Sequence, residues 1–328
     1  MNITRISILL LAWLLVPQSA NSASLPGIPE FIDNMVARHQ FNRTELEKVF
    51  VRAQHQPSVI ESISRPATLK PWPEYRASFV NPERIKFGLE FWRKHRQTLH
   101  NAEQKYGVPQ EIILAVIGVE TVYGRDAGKY RVLDALTTLA FDYPRRADFF
   151  RSELENYLLL ARDEQYDLLD MRGSYAGAMG IPQFMPSSHR KYAVDFNGNH
   201  KIDLLNEPVD AIGSVANYLQ SYGWIKDKPI AVLSRAVGKV GAVDAATLQT
   251  LAAWSVSGVT PDMSISQEES ARLADFTVEK GKEYWLVFNN FDVITRYNNS
   301  DFYAMSVFQL AEALKAASQF NVHGGYSR

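Results

Sequence analysis

No cysteine occurs anywhere in the 328 residues. That excludes disulfides, a thiol nucleophile and a lipid-modified cysteine behind a leader. An excess of charge is missing too: 35 Lys and Arg face 36 Asp and Glu, for a formal net charge of −1. Nucleic-acid binders concentrate basic residues, so this balance argues against a polyanion partner. The apolar stretch from Ile6 to Val16 is too short for a comfortable membrane span. There is no Gly-x-Ser-x-Gly elbow, internal repeat or low-complexity tract. The seven histidines form no metal or triad spacing. His95 and His100, on one expected helix, point apart.

What is present begins with Arg5, the apolar stretch, and then Pro17-Gln18-Ser19-Ala20-Asn21-Ser22-Ala23. This is the layout of a secretory signal peptide cleaved near Ala20 to Ala23; an uncleaved anchor is the alternative. An exported soluble protein is expected. The remaining ~300 residues suffice for about two domains with a large core. Aromatic content of 12% suits carbohydrate binding and a well-packed core equally.

The first half reads as helical. Asn42 with Glu45 resembles a capping box ahead of Leu46, Val49, Phe50 and Ala53. Asn81-Pro82 opens a longer helix through Phe91, His95 and Leu99 to Tyr106, with Gly107 as its stop. Pro109, Pro144 and Pro208 each begin another helix. After Lys226 the pattern turns β-rich, in pieces at Pro229–Ser234, Trp254–Val259, Phe276–Val278, Tyr284–Phe288 and Phe291–Tyr297. Ser300-Asp301 then caps a final helix. Segregated strands in a mostly helical chain point to an α+β protein.

One residue stands out. Glu120 closes the apolar run Ile112-Ile113-Leu114-Ala115-Val116-Ile117-Gly118-Val119 and shares a helix face with Ile113, Val116 and Ile117. Loss of hydration disfavours the charged carboxylate, the setting that makes a glutamic acid a proton donor near neutral pH. The competing reading is a helix-end carboxylate, exposed or paired with Arg125.

Two further segments and a turn carry candidate chemistry. Gly173 to Ser188 is dense in glycine and small residues, which permits close backbone approach to a ligand, with Ser174 and Gln183 as hydrogen-bonding groups. It is no phosphate loop, for the lysine is missing; a tight helix connection with Ser187 or Ser188 as a cap explains it as well. Asp195-Phe196-Asn197-Gly198-Asn199-His200-Lys201-Ile202-Asp203 places oxygen-bearing side chains at alternate positions, like the start of an EF-hand loop. His200 sits where glycine is usual and Asn206 at the twelfth position, while Asp210 could replace the missing carboxylate. A metal-free Asx turn competes. Tyr297-Asn298-Asn299-Ser300-Asp301-Phe302-Tyr303 suits stacking on sugar faces, or simply a staple and cap.

Together, Gly118-Val119-Glu120-Thr121, Tyr123-Gly124-Arg125, Tyr143-Pro144-Arg145-Arg146-Ala147, Ala161-Arg162-Asp163-Glu164-Gln165, Ser174-Tyr175-Ala176-Gly177-Ala178-Met179-Gly180, Gln183-Phe184-Met185-Pro186-Ser187-Ser188 and Asp210-Ala211-Ile212-Gly213-Ser214-Val215-Ala216-Asn217-Tyr218 closely resemble the membrane-bound lytic transglycosylase B family. The resemblance runs from about Phe31 to Leu314. It implies a lysozyme-like catalytic core with a helical domain and a small antiparallel β domain. Its expected division is 1–23 as signal peptide, 24–95 helical, 96–226 core, 227–296 β domain, and 297–328 a helix returning to the core. By the resemblance Glu120 is the catalytic residue, and Tyr75, Ser174, Gln183, Tyr218, Tyr297, Asn298 and Tyr303 line the substrate groove. A structural calcium would be held by Asp195, Asn197, Asn199, Asp210 and the Lys201 carbonyl. Two departures stand out: no anchor cysteine, and a calcium loop one residue longer than the family pattern.

The resemblance further implies cleavage of the bond between N-acetylmuramic acid and N-acetylglucosamine in peptidoglycan, leaving 1,6-anhydro ends. No cofactor is required for the chemistry. The expected setting is the periplasm, with a free monomer acting on glycan strands and meeting cell-wall synthesis proteins. A hydrolytic muramidase is the nearest alternative, with Asp126, Asp134 and Asp142 as candidate second carboxylates. A non-catalytic glycan-binding scaffold is the other.

Overall fold

The computed structural model describes residues 25–65, 70–237 and 247–323. The expected leader, 1–23, lies outside them. The chain opens with α1 (Ile28–His39), α2 (Arg43–Arg52), α3 (Pro57–Ser64), α4 (Trp72–Phe79), α5 (Pro82–Lys94), α6 (Arg96–Tyr106) and α7 (Gln110–Thr121). It continues through β1 (Tyr130–Arg131), α8 (Val132–Asp142), α9 (Ala147–Asp163), β2 (Arg172–Gly173), α10 (Pro186–Tyr192) and α11 (Pro208–Ser221). Then come β3 (Ala231–Ala236), β4 (Gln249–Thr250), α12 (Leu251–Val256), β5 (Val259–Pro261), β6 (Ser270–Val278), β7 (Gly281–Val287), α13 (Asn289–Thr295) and α14 (Asp301–His323). The class is α+β and mostly helical, as expected.

Local chemistry accounts for several boundaries. The Asn42 and Asn81 side chains accept from the Glu45 and Arg84 amides at 3.1 and 2.9 Å, satisfying donors that a helix start leaves orphaned. Gly107 ends α6 at φ 71°, a left-handed position where glycine carries no Cβ penalty. The single long helix expected from Pro82 to Tyr106 is two: the backbone leaves helical geometry at His95, whose ring packs 4.4 Å from that of Phe91.

Three apolar cores organise the molecule. The first joins α4–α7, α11, α13 and α14 through residues such as Trp72, Leu99, Ile113, Val215, Phe291 and Leu310. The second holds α1–α3 against α8 and α9 through Phe31, Phe50, Leu136 and Leu154. The third lies under the small sheet, with Val232, Trp254, Leu273 and Leu286. That sheet runs β4-β6-β7-β3-β5, antiparallel throughout, with Leu286 opposite both Leu273 and Val232. Two pieces expected as strands are helical. Residues 251–256 form α12 because Thr250 caps the turn by accepting from the Ala253 amide at 3.3 Å. Residues 289–295 form α13, burying Phe291 and Ile294 one turn apart despite their β-favouring neighbours.

At the centre runs α7, buried on every side from Ile112 to Val119 and packed by α5, α6, α11 and α14. A helix apolar all round belongs in a core. Its C-terminal end is where the first polar side chain emerges.

Candidate active site

The partly exposed Glu120 comes one residue before the end of α7. The chain then takes three consecutive left-handed residues, Val122, Tyr123 and Gly124, at φ 50°, 61° and 83°. Two of these carry a Cβ, so the turn is strained, and strain of this kind persists only where surrounding contacts fix it. Thr121 helps: its hydroxyl donates to the Ile181 carbonyl at 2.8 Å and accepts from the Gly124 amide at 2.9 Å. The Tyr123 ring folds back between two glycines; a Cβ on Gly88 or Gly118 would sit 2.4 or 2.5 Å from its hydroxyl. That hydroxyl is buried without a hydrogen-bond partner.

Around the Glu120 carboxyl stand tyrosines from distant segments. Tyr303 on α14, 2% exposed, donates to Glu120 Oε1 at 2.6 Å. The Tyr297 ring stacks parallel to Tyr303 at 6.3 Å and packs 4.8 Å from Tyr218 on α11. Tyr297 and Tyr218 are pinned by their own hydroxyls, which donate to the Pro182 and Arg296 carbonyls at 2.6 Å each. Tyr75 on α4 lies near enough to feel the Glu120 charge, while its ring sits among Trp72, Phe79 and Phe302.

Burial pushes the Glu120 carboxyl up to about 7, against the Tyr303 hydrogen bond and the Arg84 guanidinium, which both pull it down. Burial likewise raises Tyr303 and Tyr297 well above the ordinary phenol value and Tyr75 to about 12, with Glu120 as a lesser cause in each. These rings therefore remain neutral donors at neutral pH. Arg125 is not the partner of Glu120: it pairs with Glu90 at 3.4 Å and lies 3.9 Å over the Phe87 ring. Nor are two of the three candidate second carboxylates free to serve. Asp134 is held by Arg131 at 2.8 Å and Asp142 by His55 at 2.8 Å. Asp126 is exposed beyond the strained turn and acts on Arg84, not on Glu120.

The glycine-rich segment is a tightly packed connection, the second of the two readings its sequence allowed. A Cβ on Gly173 would meet the Ala178 carbonyl at 2.2 Å, and one on Gly180 the Leu204 carbonyl at 2.5 Å. These glycines are required by the protein's own backbone. The Ser174 hydroxyl accepts from the Ala176 and Ala178 amides at 3.2 and 3.1 Å, closing its own turn. Gln183, at φ 51°, donates to the Ala127 and Gly180 carbonyls at 3.0 and 2.9 Å, one residue from the carbonyl that anchors Tyr297. Asn298 is exposed on the turn before α14. Neither Ser187 nor Ser188 caps α10; the buried Glu153 does so from α9, accepting from the Ser187 amide at 2.9 Å and hydroxyl at 2.6 Å.

In the acidic loop, His200 adopts φ 67°, the conformation for which glycine is the usual residue. Asp195 accepts from the Gly198 and His200 amides, each at 2.7 Å. Asn199 accepts from the Lys201 amide at 2.9 Å. Asp210 is fully buried, and its two oxygens accept from the Phe196 and Asp203 amides at 2.9 Å each, tying the loop to α11. The carboxylate that faces the loop amides is Glu207, hydrogen-bonded to Asn197 and, at 3.2 Å, to Asn199. Sequence reasoning passed it over because it falls one place beyond the twelfth position. Among the described residues no three Asp, Glu or His side chains gather as a metal cluster. The donor set, two carboxylates with amide and carbonyl oxygens, is nonetheless the hard-oxygen chemistry that suits calcium.

The comparisons with known proteins agree in kind. The profile of a family described as a transglycosylase SLT domain matches residues 25–312. The chain is 44% identical over 305 residues to the membrane-bound lytic murein transglycosylase B of Escherichia coli (strain K12), covering 90% of this chain and 84% of that protein. The structure of the Escherichia coli lytic transglycosylase Slt35 in complex with calcium aligns with a TM-score of 0.85 at 43% identity, over 91% of this chain and 96% of that one. Soluble lytic transglycosylase SltB1 from Pseudomonas aeruginosa aligns with a TM-score of 0.83 at 44% identity, over 90% of this chain and 100% of that one.

Proposed function

The chain belongs to the transglycosylase SLT domain family and is a lytic transglycosylase of peptidoglycan; from this we propose that Glu120 alone does its acid and base chemistry, with formation of 1,6-anhydro ends. The observation that carries the reading is a carboxyl raised to about 7 by burial and touched by one neutral phenol. Such a group is protonated in a useful fraction near neutral pH, which is what a general acid needs.

In the first step Glu120 gives its proton to the glycosidic oxygen as the bond from that oxygen to C1 of N-acetylmuramic acid breaks. The ionised carboxylate then takes the C6 hydroxyl proton as O6 bonds to C1. Glu120 is neutral again, no water has been consumed, and the sugar has served as its own nucleophile. Tyr303 donates to the carboxylate in its ionised interval. The C2 acetamide shields the oxocarbenium-like centre. Tyr75, Ser174, Gln183, Tyr218, Tyr297 and Asn298 are assigned to the groove. Acid–base help of this kind is worth on the order of 10²–10⁴-fold, with orientation supplying the rest.

Hydrolysis through a second carboxylate is disfavoured because the groups acting on Glu120 are Tyr303 and Arg84, not an aspartate. A purely binding role would leave a proton-donor setting unused. The division into 24–95, 96–226, 227–296 and 297–328 is proposed as an order of parts along the chain, with the apolar cores crossing its borders: α4 and α5 pack with α6 and α7, and α1–α3 with α8 and α9. No described helix is long and apolar enough to cross a membrane. A free monomer in the periplasm is proposed. Where calcium binds, Asp195, Asn197, Asn199 and the Lys201 carbonyl would hold it with Glu207, and Asp210 would brace the loop; the ion would stabilise the core without entering the chemistry.

The test is digestion of purified sacculi with the mature protein and with Glu120→Gln. Mass spectrometry should find anhydro ends from the first and no cleavage by the second. Reducing ends would favour a muramidase. Undiminished sacculus binding and biological role in the variant would favour a scaffold.

A further inference from the structure

We propose that Arg84 is a positioning residue for Glu120: it clamps the last carbonyls of the helix that carries Glu120 and sets a fixed positive charge facing the carboxyl. The inference deepens the single-glutamate reading and rests on it.

Arg84 lies on α5 and reaches across to the end of α7. Its guanidinium donates to the Gly118 carbonyl and, at 3.4 Å, to that of Val119, the residue immediately before Glu120. The Nε donates to the Ser78 carbonyl at the end of α4 at 3.2 Å, and the group lies 5.2 Å over the Phe79 ring. Its own backbone is fixed by the Asn81 cap at 2.9 Å. One cation therefore joins three helices at the base of the candidate acid. The Val119 carbonyl gains from it a partner that the left-handed turn at Val122 and Tyr123 takes away.

The electrostatic consequence follows from position. The end of α7 is the negative end of its dipole, which makes an ionised Glu120 harder to form. An arginine stays protonated through the working range, so its charge offsets that dipole at every step of the cycle. The groups facing Glu120 are Arg84 from α5, Tyr75 from α4, Tyr218 from α11, Tyr303 from α14 and Tyr297 just before it. Arg84 is the sole cation acting on Glu120 among the described residues, and the direction of its effect is to ease ionisation. Asp126, Glu83 and Tyr123 face Arg84 in turn. A general acid must give its proton away and remain ionised until O6 returns one. The guanidinium eases the first half of that exchange.

The pH dependence of kcat/KM on soluble glycan, measured at a temperature where every variant is folded, separates charge from clamp. Arg84→Gln keeps amide donors and loses the charge. It should move the alkaline limb upward by about one pH unit, a tenfold change in the proton equilibrium. Arg84→Met should move the limb the same way. Arg84→Lys, which keeps the charge without the fork, should leave the limb in place while lowering the melting temperature. A limb unmoved in Arg84→Gln and Arg84→Met, or moved equally in Arg84→Lys, overturns the proposal. Glu120→Gln run beside them distinguishes the two failures: if it retains activity the single-glutamate reading falls, whereas an inactive Glu120→Gln with unmoved Arg84 variants removes the proposal alone.

Discussion

Replacing Glu120 by glutamine should make the protein more stable at alkaline pH and leave it unchanged in acid. In the unfolded chain this carboxyl titrates near 4.5, and in the folded protein near 7. Below 4.5 it is neutral in both states and folding is unaffected. Between 4.5 and 7 the unfolded chain ionises this group while the folded state still holds its proton, so stability is lost across that window and the loss is complete above 7. Each pH unit of separation is worth about 1.4 kcal/mol, for a gross difference of about 3 kcal/mol. Glu120 is partly exposed and some of this is screened, so a gain of about 1–3 kcal/mol is expected for Glu120→Gln at pH 8. Glutamine keeps the shape and an oxygen for Tyr303. Urea midpoints at pH 4 and pH 8 measure the effect, which should appear in melting curves as a few degrees. Equal midpoints for the two proteins at pH 8, or a gap of the same size at both pH values, would refute a poorly hydrated, proton-holding site.

Three other outcomes follow from the same geometry. Tyr303→Phe removes the hydrogen bond that favours the ionised carboxylate, worth about 1.5–3 kcal/mol. The alkaline limb of the pH–rate profile should rise by about one to two pH units, and an unmoved limb would mean the bond is not made in solution. Tyr123→Phe deletes a buried hydroxyl that has no partner and should be neutral or stabilising by about 1 kcal/mol; a clear loss in thermal melting would reveal a hidden acceptor. Millimolar calcium should raise the melting temperature without changing turnover, and Asp195→Ala or Glu207→Gln should abolish the rise. No shift in the parent protein would remove the calcium site.

The elements most legible in the sequence are those dictated by nearest neighbours. The apolar run of α7 could not be solvent-exposed, so its end had to be a special place. Asn42 and Asn81 marked helix starts because their side chains act within one turn. Reading failed where tertiary packing overrode propensity. Val293, Ile294 and Thr295 favour strands as residue types, yet their segment buries Phe291 and Ile294 as a helix. The resemblance assigned Glu120 and Tyr303 to one site, but their contact across 183 positions had no signal in the sequence. Arg84 has no local signal at all, for nothing on α5 tells which carbonyl its side chain will meet. Glu207 was visible only to a reader willing to shift the EF-hand frame by one place. For Gly173 and Gly180 the sequence left ligand approach and a tight connection both open, and only their contacts with the Ala178 and Leu204 carbonyls favour the second.

The phenol that touches the acid comes 183 positions later in the chain. During synthesis, a chain that has finished α7 has a hydrophobic helix and a carboxyl but no phenol beside it. The proposed centre is completed late, when α14 docks and brings Tyr303 and its stacked neighbour Tyr297 into place. A molecule whose last helix has come away therefore leaves the Glu120 carboxyl without its phenol donor.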